Sequence, residues 1–175
     1  MRFVALVLCF VLLSPPAPAA DWTSKVLAEG ISLDVPGETV PFEDGGMKGF
    51  MFKGEHAGQR YALVAVAKHV PPKIRAALTS SDRLAQLYKG IYDGALQQAG
   101  GPGGLSTMVV RYAGGLKVLE TKGKIKQAHA RYRWVYVNGK LCQLTTLTAT
   151  AASPIADRFF ESFRARPAQE QLARP

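Results

Sequence analysis

Arg131-Tyr132-Arg133-Trp134-Val135-Tyr136-Val137-Asn138-Gly139-Lys140-Leu141-Cys142-Gln143-Leu144 decides the architecture of this chain. Asn138-Gly139 between two runs of alternating residues is the strongest short hairpin signal, because a two-residue type I′ turn needs positive φ at both central positions. Such a turn fixes the register: Val137 faces Lys140, Val135 faces Cys142 and Arg133 faces Leu144. One face of the hairpin then carries Val135, Val137, Cys142 and Leu144. The other carries Tyr132, Trp134, Tyr136, Leu141 and Leu147. Apolar residues on both faces predict a central hairpin covered on both sides.

Outward from this hairpin the period of two continues. Ser106–Tyr112, Leu116–Thr121, Ile125–Val137 and Lys140–Thr150 read as successive strands. Before them, Leu84, Leu87, Tyr88, Ile91, Ala95 and Leu96 recur at helical spacing, which predicts a helix over Asp82–Ala99 stopped by Gly100–Gly104. Earlier still, Ile31–Val35 alternates and ends at Pro36-Gly37, Thr39–Gly46 reads as a loop, and Phe50–Phe52 pairs with Tyr61–Val70 across a turn. Pro71-Pro72 ends that strand. Ser153-Pro154 is an N-cap followed by proline at the first helical position, opening a short helix with a ridge of Phe159, Phe160 and Phe163. Arg164 and Arg166 suit its C-terminal dipole. The expectation is an α+β domain: a mostly antiparallel sheet of about six or seven strands with two packed helices, in the order βββ-α-ββββ-α.

The chain is 175 residues with 22 Lys+Arg against 13 Asp+Glu, a net charge of +9, and 47% hydrophobic residues. That length suits one domain with a conventional core. Met1-Arg2, the apolar run Phe3–Leu13 and Ala17-Pro18-Ala19 have the anatomy of a signal peptide, so residues 1–19 are expected to be removed on export. The apolar run falls short of the roughly twenty residues a membrane span needs. The expected globular domain covers 20–167, with a flexible tail over 168–175 and a periplasmic or extracellular destination. After cleavage Cys142 is the one cysteine left, which excludes an intramolecular disulfide and suits a buried thiol.

This order of elements resembles the PsbP-like fold of an extrinsic photosystem subunit and small bacterial envelope proteins. Ile31-Ser32-Leu33-Asp34-Val35-Pro36-Gly37, the hairpin Arg131–Leu141 and Phe159-Phe160-Glu161-Ser162-Phe163-Arg164 carry the resemblance. It implies a non-enzymatic adaptor or assembly role and brings no catalytic residue with it.

Charge is uneven. Asp21–Glu55 holds three Lys against seven acids, whereas Lys117–Lys140 holds five Lys and two Arg against Glu120 alone. Lys122, Lys124 and Lys126 stand at alternate positions, and Arg131 and Arg133 repeat the spacing. With Lys117 they form a candidate surface for an acidic protein or an anionic envelope component. Lysines that guard a sheet edge against association explain the same row. Nucleic acid is disfavoured by the export signal and by the lack of a recognition motif.

His56, His69 and His129 stand apart, with no ligand spacing, so neither a metal nor another cofactor is expected. No G-x-S-x-G elbow is present, Glu43-Asp44 suits a turn, and Gly100–Gly104 lacks the Lys-Ser/Thr end of a phosphate loop. No catalytic residue is assigned, though an enzyme with a composite site stays open. Tyr132, Trp134 and Tyr136 are an alternative: a ligand groove for a small-molecule carrier, or core beneath a helix, where the Phe159–Phe163 ridge needs a docking face.

Overall fold

The computed structural model describes residues 21–166 except 45, 57, 79, 99, 100, 102 and 103. The expected signal peptide (1–19), the tail (168–175) and most of the Gly100–Gly104 helix stop lie outside the described residues. The order is β1 (Trp22–Ala28), β2 (Ile31–Pro36), β3 (Val40–Asp44), β4 (Met47–His56), β5 (Gln59–His69), α1 (Pro72–Ala77) and α2 (Ser81–Gln98). Then come β6 (Val109–Ala113), β7 (Leu116–Ile125), β8 (Ala128–Val137), β9 (Lys140–Thr148), α3 (Pro154–Glu161) and β10 (Arg164–Ala165).

The β8–β9 hairpin sits at the centre. Asn138 (φ 52°) and Gly139 (φ 70°) turn it, and Val137 pairs with Lys140, Val135 with Cys142 and Arg133 with Leu144. Around it a seven-stranded sheet runs in the order β3-β4-β5-β9-β8-β7-β6, and every neighbouring pair is antiparallel. A three-stranded sheet, β1-β2-β10, is separate from it. The α+β class and the mostly antiparallel sheet match the sequence.

Two cores lie on opposite faces of the large sheet. On one face Ile31, Leu33 and Val35 of β2 and Phe159 and Phe160 of α3 pack with Phe52, Leu63, Ala65, Val135, Val137, Cys142 and Leu144. On the other, Tyr88 of α2 packs with Leu119, Ala130, Tyr132, Trp134 and Leu147, with Leu84, Ile91 and Leu96 alongside. This double cover explains why β5 is buried continuously from Tyr61 to Ala67 instead of alternately. The Phe ridge therefore docks on the face opposite Tyr132 and Trp134, which α2 covers.

Five further details depart from the sequence reading. Thr39–Gly46 is not all loop, since Val40–Asp44 forms β3; that strand is a sheet edge, where Pro41 can lack its N–H without breaking an inner ladder. β1 pairs with β2, and Pro72 opens α1 as well as ending β5. Arg164 belongs to β10 and pairs with Asp34 across β2 at 3.0 Å, so its role is a strand contact. Finally, the strand read as Leu116–Thr121 continues through Gly123 to Ile125 as β7, the next strand starts at Ala128 instead of Ile125, and the turn falls at Lys126 (φ 54°). Gly123 is needed because Leu105 bridges to it and a Cβ there would stand 2.2 Å from the Gly104 carbonyl oxygen.

Candidate functional site

The shift of the β7–β8 turn rearranges the basic row. Cross-strand partners in an antiparallel pair share a face, with Cβ atoms about 4.5–5.5 Å apart. Glu120 is opposite Arg133, Lys122 opposite Arg131 and Lys124 opposite His129. These six side chains therefore lie on one face, the face that holds α3 further along. Lys126 occupies the turn, so its alternation with Lys122 and Lys124 does not continue on one strand. Lys117 belongs to the other face, where its Nζ donates to Ser81 Oγ at 2.9 Å.

The two arginines are committed to the fold. Arg133 is buried; its Nε donates to Glu120 Oε1 at 2.6 Å and its Nη1 donates to the Phe160 carbonyl. Arg131 donates to Asp157 Oδ1 of α3. Both guanidiniums lie 4.9 Å from the centroid of the Phe160 ring, so the pair clasps the aromatic that anchors α3. Glu120 is shared: Arg111 reaches it from β6 through Nε at 2.6 Å and Nη2 at 3.0 Å. Burial works against the Glu120 charge, but the hydrogen bond from Arg111 and the nearby Arg133 outweigh it and hold the carboxyl below its ordinary value.

Lys122 and Lys124 are left over. Both are exposed, and among the described residues neither forms an ion pair with a carboxylate. With His129, Arg131, Ser106, Gly123 and Ala151 they line a cleft of about 390 Å³ near the turn that joins β7 to β8. Ser106 is stitched to its floor: its N–H donates to the Lys122 carbonyl at 2.6 Å, and the Lys122 N–H donates to Ser106 Oγ at 3.1 Å. Lys122 thus stands directly opposite Arg131 and Lys124 opposite His129, and among the described residues Asp157 is the one carboxylate bonded to the group. Like charges set directly opposite one another, as Lys122 and Arg131 are, repel. Sequence reading sets His129 aside and puts Ser106 at the start of a strand that begins instead at Val109; only the tertiary structure brings both beside the lysines.

The aromatic row lies in the second core. Tyr132 and Trp134 are buried beneath α2, stacked at 5.4 Å between ring centroids and 9° between planes, and Trp134 Nε1 donates to Gln143 Oε1. Tyr136 is half-buried beside them. A second cleft, about 280 Å³, lies between His56, Arg60, Tyr61, Thr148 and Ser153. Among the described residues no group of His, Cys, Asp and Glu is placed to hold a metal ion, and no helix is long and apolar enough to cross a membrane.

A large antiparallel sheet covered by a long helix on one face, and by a small sheet and short helix on the other, is the PsbP-like fold. The structure matches the solution structure of cyanobacterial PsbP from Synechocystis sp. PCC 6803 with a TM-score of 0.55, over 89% of this chain and 96% of that one, at 11% identity. No protein-family model matches the sequence, and no curated protein does.

Proposed function

We propose that this chain is a non-catalytic, exported binding domain that engages an acidic protein or an anionic envelope component through the cleft around Lys122 and Lys124. The observation that carries this reading is the face of opposed basic side chains whose lysines form no ion pair with a carboxylate among the described residues. An anion entering there relieves repulsion that the fold otherwise carries. Lys126 in the adjoining turn extends the same field, and Arg131 lines the cleft opposite Lys122. The resemblance in fold agrees with a domain that docks on a partner and performs no chemistry. The leader sequence, from which the mature chain starts at Ala20, supports delivery to the periplasm or beyond.

The test is binding of the purified chain to poly-glutamate and to phosphatidylglycerol vesicles across a salt series. Replacing Lys122, Lys124 and Lys126 together by Glu is expected to weaken binding at least about tenfold, since each basic residue near an anionic surface is worth about 1 kcal/mol. Binding that ignores both salt and the triple substitution overturns the reading. Which probe is preferred tells an acidic chain from a lipid surface. The mass of the protein recovered from its own cells checks the start at Ala20.

A further inference from the structure

Each sheet has two edges, and three of the four are protected. β3 carries Pro41 and the Glu43–Lys48 ion pair. β1 carries Lys25 and an irregular register between Val26 and Ala28. β10 is two residues long. Prolines, lysines, bulges and short strands are the usual ways of stopping another chain from pairing with an edge. β6 has none of them. Val109, Arg111, Tyr112 and Val110 are all exposed, with Val109 at 53% and Tyr112 at 73% relative exposure. Its one charge, Arg111, is drawn onto Glu120.

We propose that β6 is a docking edge, and that an extended acidic segment of a partner protein adds to it as an eighth strand of the large sheet. This rests on the reading of an acidic partner given above and specifies how that partner is held. Main-chain groups of β6 that point away from β7 supply the pairing, and side chains of the incoming strand cover Val109 on one face and Val110 and Tyr112 on the other. The charge around the edge selects the occupant. From Leu105 to Lys140 the sequence has eight Lys and Arg and one acid, Glu120, which Arg111 and Arg133 already share. A second copy of the chain is a poorer occupant. In a symmetric antiparallel pairing centred on β6, Arg111 faces its own copy, and two strongly basic chains meet. An acidic strand running past Val109 continues toward Lys122 and Lys124, one strand further in, and reaches the lysines of the cleft.

The probe is a capped ten-residue peptide of alternating Glu and Val, compared with the same peptide N-methylated at alternate residues along one edge, and with a Lys/Val peptide. N-methylation removes donors on one edge of the peptide without touching the protein, so folding of a variant is not at issue. Expected results are saturable binding of the Glu/Val peptide, at least about tenfold weaker binding of the N-methylated form, and slowed amide exchange in Val109–Ala113 on binding. The Lys/Val peptide is expected not to bind. Equal binding of methylated and unmethylated peptide, lost when Lys122 and Lys124 become Glu, overturns strand addition and leaves the basic-cleft reading standing. Protection of β6 by the Lys/Val peptide as strong as by the Glu/Val peptide overturns the choice of an acidic occupant. Concentration-dependent dimerisation of the chain alone with β6 protected also overturns it, in favour of a second copy.

Discussion

The Tyr136 N–H donates to the hydroxyl of Tyr88 at 3.0 Å, and that hydroxyl donates in turn to the Lys117 carbonyl at 2.7 Å. The β7–β8 ladder ends at Val118–Val135, so Lys117 and Tyr136 are the next pair along, and a phenol from α2 fills the place of their missing bond. Tyr88 is fully buried. One side chain thus fixes the height of α2 over the sheet and satisfies two backbone groups where the strands part.

Tyr88→Phe keeps the ring and removes this bridge. It is expected to cost about 1–3 kcal/mol, because a buried donor and acceptor lose their partner without leaving a cavity. Urea denaturation measures it, and an unchanged midpoint contradicts the bridging role. Burial also pushes the Tyr88 hydroxyl up to about 12 from an ordinary 10.0, so the fold favours its protonated form. Its stabilisation is complete below pH 10 and is lost as pH rises toward 12, a loss that Tyr88→Phe is expected to reduce.

Glu120 behaves in the opposite sense. Its carboxyl is held below the ordinary 4.5, so its contribution is present above that value and disappears as pH falls through the lower folded-state value. Glu120→Gln is expected to flatten the acid side of the stability profile. It also leaves Arg133 buried without its carboxylate, at a cost of about 3 kcal/mol near neutrality. Denaturant melts at pH 7 and at pH 3 separate the two effects; equal losses at both pH values contradict the ion-pair account.

Two glycines separate backbone propensity from packing. A Cβ on Gly90 of α2 meets nothing within 4 Å, and Gly90→Ala is expected to stabilise by roughly 0.5–1 kcal/mol. On Gly49 of β4 a Cβ falls 1.9 Å from the Ala65 carbonyl oxygen and 2.9 Å from its carbon, where backbone must move. Gly49→Ala is expected to cost about 1–3 kcal/mol or to prevent folding. Thermal midpoints moving in the same direction for both variants contradict this placement.

Cys142 is fully buried, and burial pushes its thiol up to about 12 against the opposing effect of Lys140. The native protein is therefore expected to resist a thiol reagent at pH 8, with modification following unfolding. Rapid labelling without denaturant contradicts the buried position.

The β8–β9 hairpin was legible because everything that defines it is local. Asn138-Gly139 tolerates the positive φ of the turn, and the alternation on either side then fixes each cross-strand pair from Val137–Lys140 outward. Ser153-Pro154 marked the start of α3 for the same reason: cap and first turn are neighbours in the chain. The spacing of Leu84, Tyr88 and Ile91 set out α2. Gly123 shows the limit. The sequence reading ends a strand at Thr121, yet β7 runs on through Gly123, which admits the backbone of Gly104 and Leu105, some twenty residues away.

The candidate site divides along the same line. Sequence alone determined the class of fold, the central hairpin and the concentration of positive charge between Lys117 and Lys140, since composition and short-range periodicity carry those. Tertiary structure decided which charges are spent. Asp157 and Phe160 of α3 claim Arg131 and Arg133, Ser81 of α2 claims Lys117, and pairing across β7 and β8 sets Lys122 and Lys124 opposite Arg131 and His129. It also decided which face each helix covers and which sheet edge is left open. Those outcomes depend on contacts between residues far apart in the chain, where packing and long-range ion pairs override any local signal.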